Sequence, residues 1–198
     1  MYTSVAVLET APAVVLCLVG IFIVITNAVV LWGIAVTREL HKPLYFYMSN
    51  LATSDIFGGL ALVIKTVVDT KDTTWRETMV TATLLFHSQV SSASALALMS
   101  VDTYVAVRHP IYFHTHAHTA KRNACITIVS SWLILSLLDF SPIMGWNCLN
   151  MPSPADCLDY IFHISFFGVL AAVFILLISV ILFTNISVYV AIKQRQKR

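Results

Sequence analysis

Charge is what this sequence has least of. Only 11% of its 198 residues are Asp, Glu, Lys or Arg, where a water-soluble domain carries about 25%. With 58% hydrophobic residues and a mean hydropathy of +0.82, water is excluded as the main solvent. The surplus of one sign is small: the net charge is +2, which argues against a nucleic-acid partner. The first apolar stretch lacks the basic segment that precedes the core of a signal peptide and is too long to be one, so it reads as a retained helix. No internal repeat is found, which disfavours a transporter built from paired broken helices. No histidine is placed as a base for the serines, and the carboxylates lie singly in different elements, so an enzyme is not expected. His114, His116 and His118 alternate in one loop, but no Cys or carboxylate lies near them and a metal site is not expected there.

Five long apolar runs are present, at about 11–37, 44–68, 78–107, 123–143 and 160–192. At 1.5 Å per residue, each can cross a hydrocarbon core about 30 Å thick. The fold class is therefore all-α, a polytopic membrane helical bundle, read as one domain over residues 1–198. Basic residues set its orientation. Arg38, Lys42, Arg108, Lys121, Arg122, Lys193, Arg195, Lys197 and Arg198 lie in the first and third loops and the tail. Only Lys65, Lys71 and Arg76 lie at the second loop, and none lies in the fourth. By the positive-inside rule the amino terminus is extracellular and the carboxyl terminus cytoplasmic. The basic tail is suited to acidic lipid headgroups.

The third run carries a stripe of small and polar groups. Ser88, Ser91, Ser92, Ala95, Met99 and Asp102 fall on one face of a 3.6-residue period, as expected of a helix on which others pack. Asp55 sits eleven residues into the second run, at a depth similar to those of Ser92 and Asn27. A carboxylate there costs about 2.5–3.5 kcal/mol on insertion scales and should face the bundle. Two readings stand: a hydrated pocket holding a cation, or a protonated Asp55 that joins helices through hydrogen bonds. Gly58 and Gly59 permit close packing or a bend. Trp132 reads as a packing residue, and Asp139 to Pro142 close the fourth run. Cys148 and Cys157 share an outer loop where a local bridge can form; two free thiols, or a bond to another segment, are the alternatives. Cys17 and Cys125 lie within helices and read as inert thiols.

In order and spacing, several landmarks resemble rhodopsin-like G-protein-coupled receptors. They are Asn27, the segment Asn50-Leu-Ala-Thr-Ser-Asp55, Asp102-Thr-Tyr-Val-Ala-Val-Arg-His-Pro-Ile-Tyr112, Trp132 and Tyr189. Within that family the chain is most similar to the lysophospholipid and cannabinoid branch. The segment Pro142-Ile-Met-Gly-Trp-Asn-Cys148 has a second cysteine in the same loop, no cysteine opens the third run, and no proline interrupts the fifth.

The resemblance implies a seven-helix receptor, of which helices one to five are expected here, in the plasma membrane. It implies a lipid-like or other small-molecule ligand held between helices three and five, with Thr81, Leu85, Ser88 and Gln89 as pocket candidates. Surrounding membrane lipids and a heterotrimeric G protein are the other implied partners. No cofactor is expected; the resemblance implies an allosteric sodium pocket at Asp55, Ser92 and Asn27, and an intraloop disulfide between Cys148 and Cys157. Asp102, Thr103, Tyr104, Pro110, Ile111 and Tyr189 would form the switch and the G-protein contact. Two departures follow. Thr103 stands where the family carries arginine, and the sixth and seventh helices are not in this sequence. The basic and acidic pair of lysophospholipid receptors aligns with Thr81 and Ala82, so a phosphate-headed ligand is not implied. A non-signalling five-span membrane interaction protein, or receptor fragment, is the competing expectation.

Overall fold

A computed structural model describes residues 2–37, 42–69, 74–149, 157–158 and 161–197. Arg38, Lys71 and Arg198 of the orientation argument lie outside these residues, as does Tyr160, where the fifth run was expected to open. The described chain forms helices α1 (Tyr2–Val36), α2 (Pro43–Asp69), α3 (Trp75–Arg108), α4 (Pro110–Thr115), α5 (Ala120–Asp139) and α6 (Ile164–Gln196), with strands β1 (Cys157–Leu158) and β2 (Phe162–His163) before α6. All the helices but α4 are long and apolar enough to span a membrane. The fold is an all-α polytopic bundle.

Local chemistry sets the ends of these helices. α2 opens on Pro43, whose missing N–H is no loss in a first turn. α3 begins in a capping box: the Thr74 hydroxyl accepts from the Glu77 amide, and the Glu77 carboxylate accepts from the Thr74 amide at 2.9 Å. It stops at His109 because Pro110 cannot continue the ladder and instead starts α4. α5 ends at Asp139, four residues short of the apolar run, because the chain turns through residues 140–145 around the buried Pro142. Gly145 closes that turn at φ +126°, a conformation that favours glycine.

α3 is the hub, packing against α2, α5 and α6, while α1 packs against α2. The usual pattern of a soluble core is inverted. α3 buries Thr81, Thr83, His87, Ser88, Ser91 and Ser94, while Phe22, Trp32, Leu137, Ile175 and Phe183 are exposed around the rim. Lipid is as apolar as these side chains, so packing, hydrogen bonds and small residues hold the helices together instead. Gly20 and Gly59 let α1 and α2 touch at the backbone: a Cβ on Gly59 would lie 2.7 Å from the Gly20 carbonyl oxygen.

Candidate functional site: a carboxylate cavity beside the hub helix

Asp55 and Ser92 meet. The Ser92 hydroxyl of α3 donates to Asp55 Oδ1 of α2 at 2.6 Å, within the range of O–H···O hydrogen bonds. The pair opens on a cavity of about 340 Å³, also lined by Asn27, Ser54, Gly58 and Ser88. Gly58 is needed here, since a Cβ would stand 2.9 Å from Ser88 Oγ. Three further donors in the lining turn back on their own helices, Asn27 Nδ2 to the Ile23 carbonyl at 2.9 Å, Ser54 to Asn50 at 3.1 Å and Ser88 to Leu85 at 2.8 Å, and the Gln89 amide lines the cavity beside them. With those donors committed, the lining keeps oxygen lone pairs around a carboxylate, the Gln89 amide oxygen among them. That donor set fits a small hard cation, which takes oxygen ligands.

Of the four ligand-pocket candidates, Leu85, Ser88 and Gln89 line this same cavity, toward the end of α3 that carries Trp75. Thr81 lies about two turns further along, buried, with its hydroxyl on the Glu77 carbonyl at 2.9 Å. Between α3 and α6 at this level the space is filled. Met79, Val90, Phe162, Phe166 and Leu170 form a buried cluster against Phe86, Phe167 and Trp146. Ring centroids within it are 5.6–6.2 Å apart.

A loop covers that cluster. Cys148 and Cys157 are disulfide-bonded, the Cys148 amide donates to the Ile161 carbonyl at 3.0 Å, and β1 pairs antiparallel with β2. Trp146 Nε1 reaches Ser165 Oγ at 3.0 Å, fixing the loop to the first turn of α6.

At the opposite end of α3, Asp102 is half-buried beside a second cavity. Thr103 does not approach its neighbour; its hydroxyl bonds the Met99 carbonyl one turn back at 2.9 Å. Tyr104 packs between His109 and Phe183, with ring centroids 6.1 Å from each. Pro110 and Ile111 are exposed on α4, Ile111 at 84%. Tyr189 points away from the bundle, 63% exposed, with Lys193 Nζ 5.8 Å above its ring.

One buried pair was missed in the sequence. His87 Nδ1 of α3 lies 2.9 Å from Asp139 Oδ2 at the end of α5, and Asp139 is fully buried with Oδ1 unbonded. Trp132 packs on His87 at 5.4 Å and donates Nε1 to Asn50 Oδ1 at 2.7 Å, so it is a hydrogen-bonding link as well as a packing residue. Ionisable residues inside membrane runs are the signal that would have found the pair.

The chain is similar to known proteins over most of its length. The family "7 transmembrane receptor (rhodopsin family)" matches residues 26–198. Lysophosphatidic acid receptor 1-B of Xenopus laevis is 29% identical over 91% of this chain and 49% of its own length. Sphingosine 1-phosphate receptor 1 of Danio rerio is 26% identical over 95% of the chain and 52% of its own length. Lysophosphatidic acid receptor 3 of Homo sapiens is 28% identical over 91% of the chain and 53% of its own length. The chain thus spans about half the length of the curated relatives it matches. Its five membrane helices, its place among lysophospholipid-receptor homologues and the non-enzymatic character of the family all converge: the chain belongs to the rhodopsin-like family of G-protein-coupled receptors.

Proposed function

We propose that the protein is a receptor for a lipid-like or other small molecule, set allosterically by a sodium ion at Asp55, Ser92 and Asn27. The observation that carries this reading is the 2.6 Å Ser92–Asp55 bond on an oxygen-lined cavity. Leu85, Ser88 and Gln89 share the walls of that cavity, so a ligand in contact with them senses whether the cation is bound below. Thr81 lies about two turns beyond that wall, outside the cavity lining. The relatives named above are receptors for lysophosphatidic acid and sphingosine 1-phosphate, and a lipid is the corresponding ligand class here. The amino terminus is extracellular in this reading and the molecule lies in the plasma membrane. Asp102, Thr103, Tyr104, Pro110 and Ile111 then face a heterotrimeric G protein, and Tyr189 swings inward from its exposed position on activation.

Position 103 governs how strongly the receptor couples. Threonine has neither the charge to pair with Asp102 nor the length to reach a G protein, and its hydroxyl is committed to Met99. Weak coupling is the consequence. The test is basal nucleotide exchange on a G protein by the full-length protein in lipid vesicles. Wild type is expected near the receptor-free background, and Thr103→Arg several-fold above it. Strong exchange by wild type, or no rise with arginine, counts against this reading. The second outcome favours a non-signalling membrane interaction protein, for which the unpaired Asp102 is the supporting observation.

A further inference from the structure

Asp102 poses a problem that receptor function does not solve. Among the described residues nothing hydrogen-bonds or ion-pairs with it, although it is half-buried at the inner end of a membrane helix. An unpaired carboxylate in such a place is costly, and these groups pair with a cation or mark a site that admits one. The residue beside it supplies no partner, since the Thr103 hydroxyl is turned back to Met99. Arg195, on α6, donates to the Val107 carbonyl at 2.8 Å, and Arg108 lines a different cavity with it.

Asp102 instead lines a cavity of about 180 Å³ between α2, α3, α4 and the start of α5. Its walls include Tyr47, Tyr112, Phe113, His116, Asn123 and Thr127. Two contacts hold the walls in place. Tyr47 Oη and Thr127 Oγ1 are hydrogen-bonded at 3.2 Å across α2 and α5. The Tyr112 ring lies against His116 at 4.2 Å and 30°, with His116 Nδ1 on the Tyr112 carbonyl at 3.0 Å. The cavity is thus mostly aromatic and aliphatic, with one carboxylate, an imidazole, an amide and hydroxyl oxygens.

That composition discriminates among ligands. An anion would be repelled by the carboxylate. A divalent metal needs six or more oxygen ligands or a set of imidazoles and thiolates, and no such group of His, Cys, Asp and Glu exists among the described residues. A planar organic cation meets every feature: a guanidinium pairs with a carboxylate in bidentate fashion, stacks on aromatic faces and is weakly hydrated. We propose that the Asp102 cavity is a binding site for a guanidinium group delivered from outside the chain. Its source is the arginine side chain of a protein that docks on the α4 face or a free guanidinium compound. The inference stands apart from whether the chain signals.

The experiment is a titration of the full chain in lipid nanodiscs with methylguanidinium, and with a tripeptide carrying arginine against its citrulline counterpart. Binding is read by microscale thermophoresis. Expected are saturable methylguanidinium binding, no binding of the citrulline peptide, and at least a tenfold loss of affinity in Asp102→Asn. Asp102→Glu keeps the charge and should retain binding, which guards against a folding defect in the amide variant. Tighter binding of the arginine peptide than of methylguanidinium identifies a protein partner, and weaker binding a free compound. Absence of saturation, or equal affinity in Asp102→Asn, overturns the proposal.

Discussion

Replacing His87 by leucine tests the buried pair that ties α3 to α5. The bond is 2.9 Å long, Asp139 has no exposed surface, and its second oxygen already lacks a partner. Two scales bracket the cost. Hydrogen bonds between membrane helices average about 0.6 kcal/mol and reach about 1.7, whereas leaving a buried polar group without its partner costs about 1–3 kcal/mol. The second regime applies. Asp139 cannot reach water, and after the substitution neither oxygen has a partner. We expect His87→Leu to cost about 2–3 kcal/mol, and Asp139→Leu a similar amount with the imidazole left behind. The double variant removes both polar groups and should cost about 1–2 kcal/mol, well below the sum. The assay is unfolding in mixed micelles by titration with a denaturing detergent, followed by far-ultraviolet circular dichroism. A double variant whose loss equals the sum of the single losses within about 0.5 kcal/mol would refute the pairing argument.

Two further predictions concern packing and the disulfide loop. Gly59→Ala places a methyl 2.7 Å from the Gly20 carbonyl oxygen and 2.9 Å from Val24. It should cost about 1–3 kcal/mol in the same assay, while Gly33→Ala, whose Cβ meets nothing within 4 Å, should be neutral or stabilising. Cys148→Ser opens a ring closed by residues nine apart. Loop-closure entropy puts the loss at about 2.5–3 kcal/mol; thermal melting should fall to that of reduced wild type, and an unchanged melt would contradict a stabilising bridge.

How much of this was legible in the sequence depended on whether one helix or two had to be known. The five spans follow from run length alone. The Asp55–Ser92 contact followed from depth, because both residues lie where a polar group must face inward. The serine stripe of α3 followed from its period. The His87–Asp139 pair did not follow: Asp139 closes α5 while His87 lies thirteen residues into α3. Their meeting depends on how the helices cross. Nor did the filled space between α3 and α6. That helix is apolar on every side, so no periodicity says which face packs, and two of the cluster's aromatics, Trp146 and Phe162, come from outside the helices.

The most direct measurement is the melting temperature of the full-length protein in nanodiscs, in sodium chloride against choline chloride at equal ionic strength. If Asp55, Ser92 and Asn27 hold sodium, saturating the site stabilises the folded state by about 2.7 kcal/mol at a hundred times Kd. The melt of wild type then rises with sodium, and that of Asp55→Asn does not respond. The same sodium shift in Asp55→Asn, or none in wild type, would contradict the cation site on which the receptor reading rests.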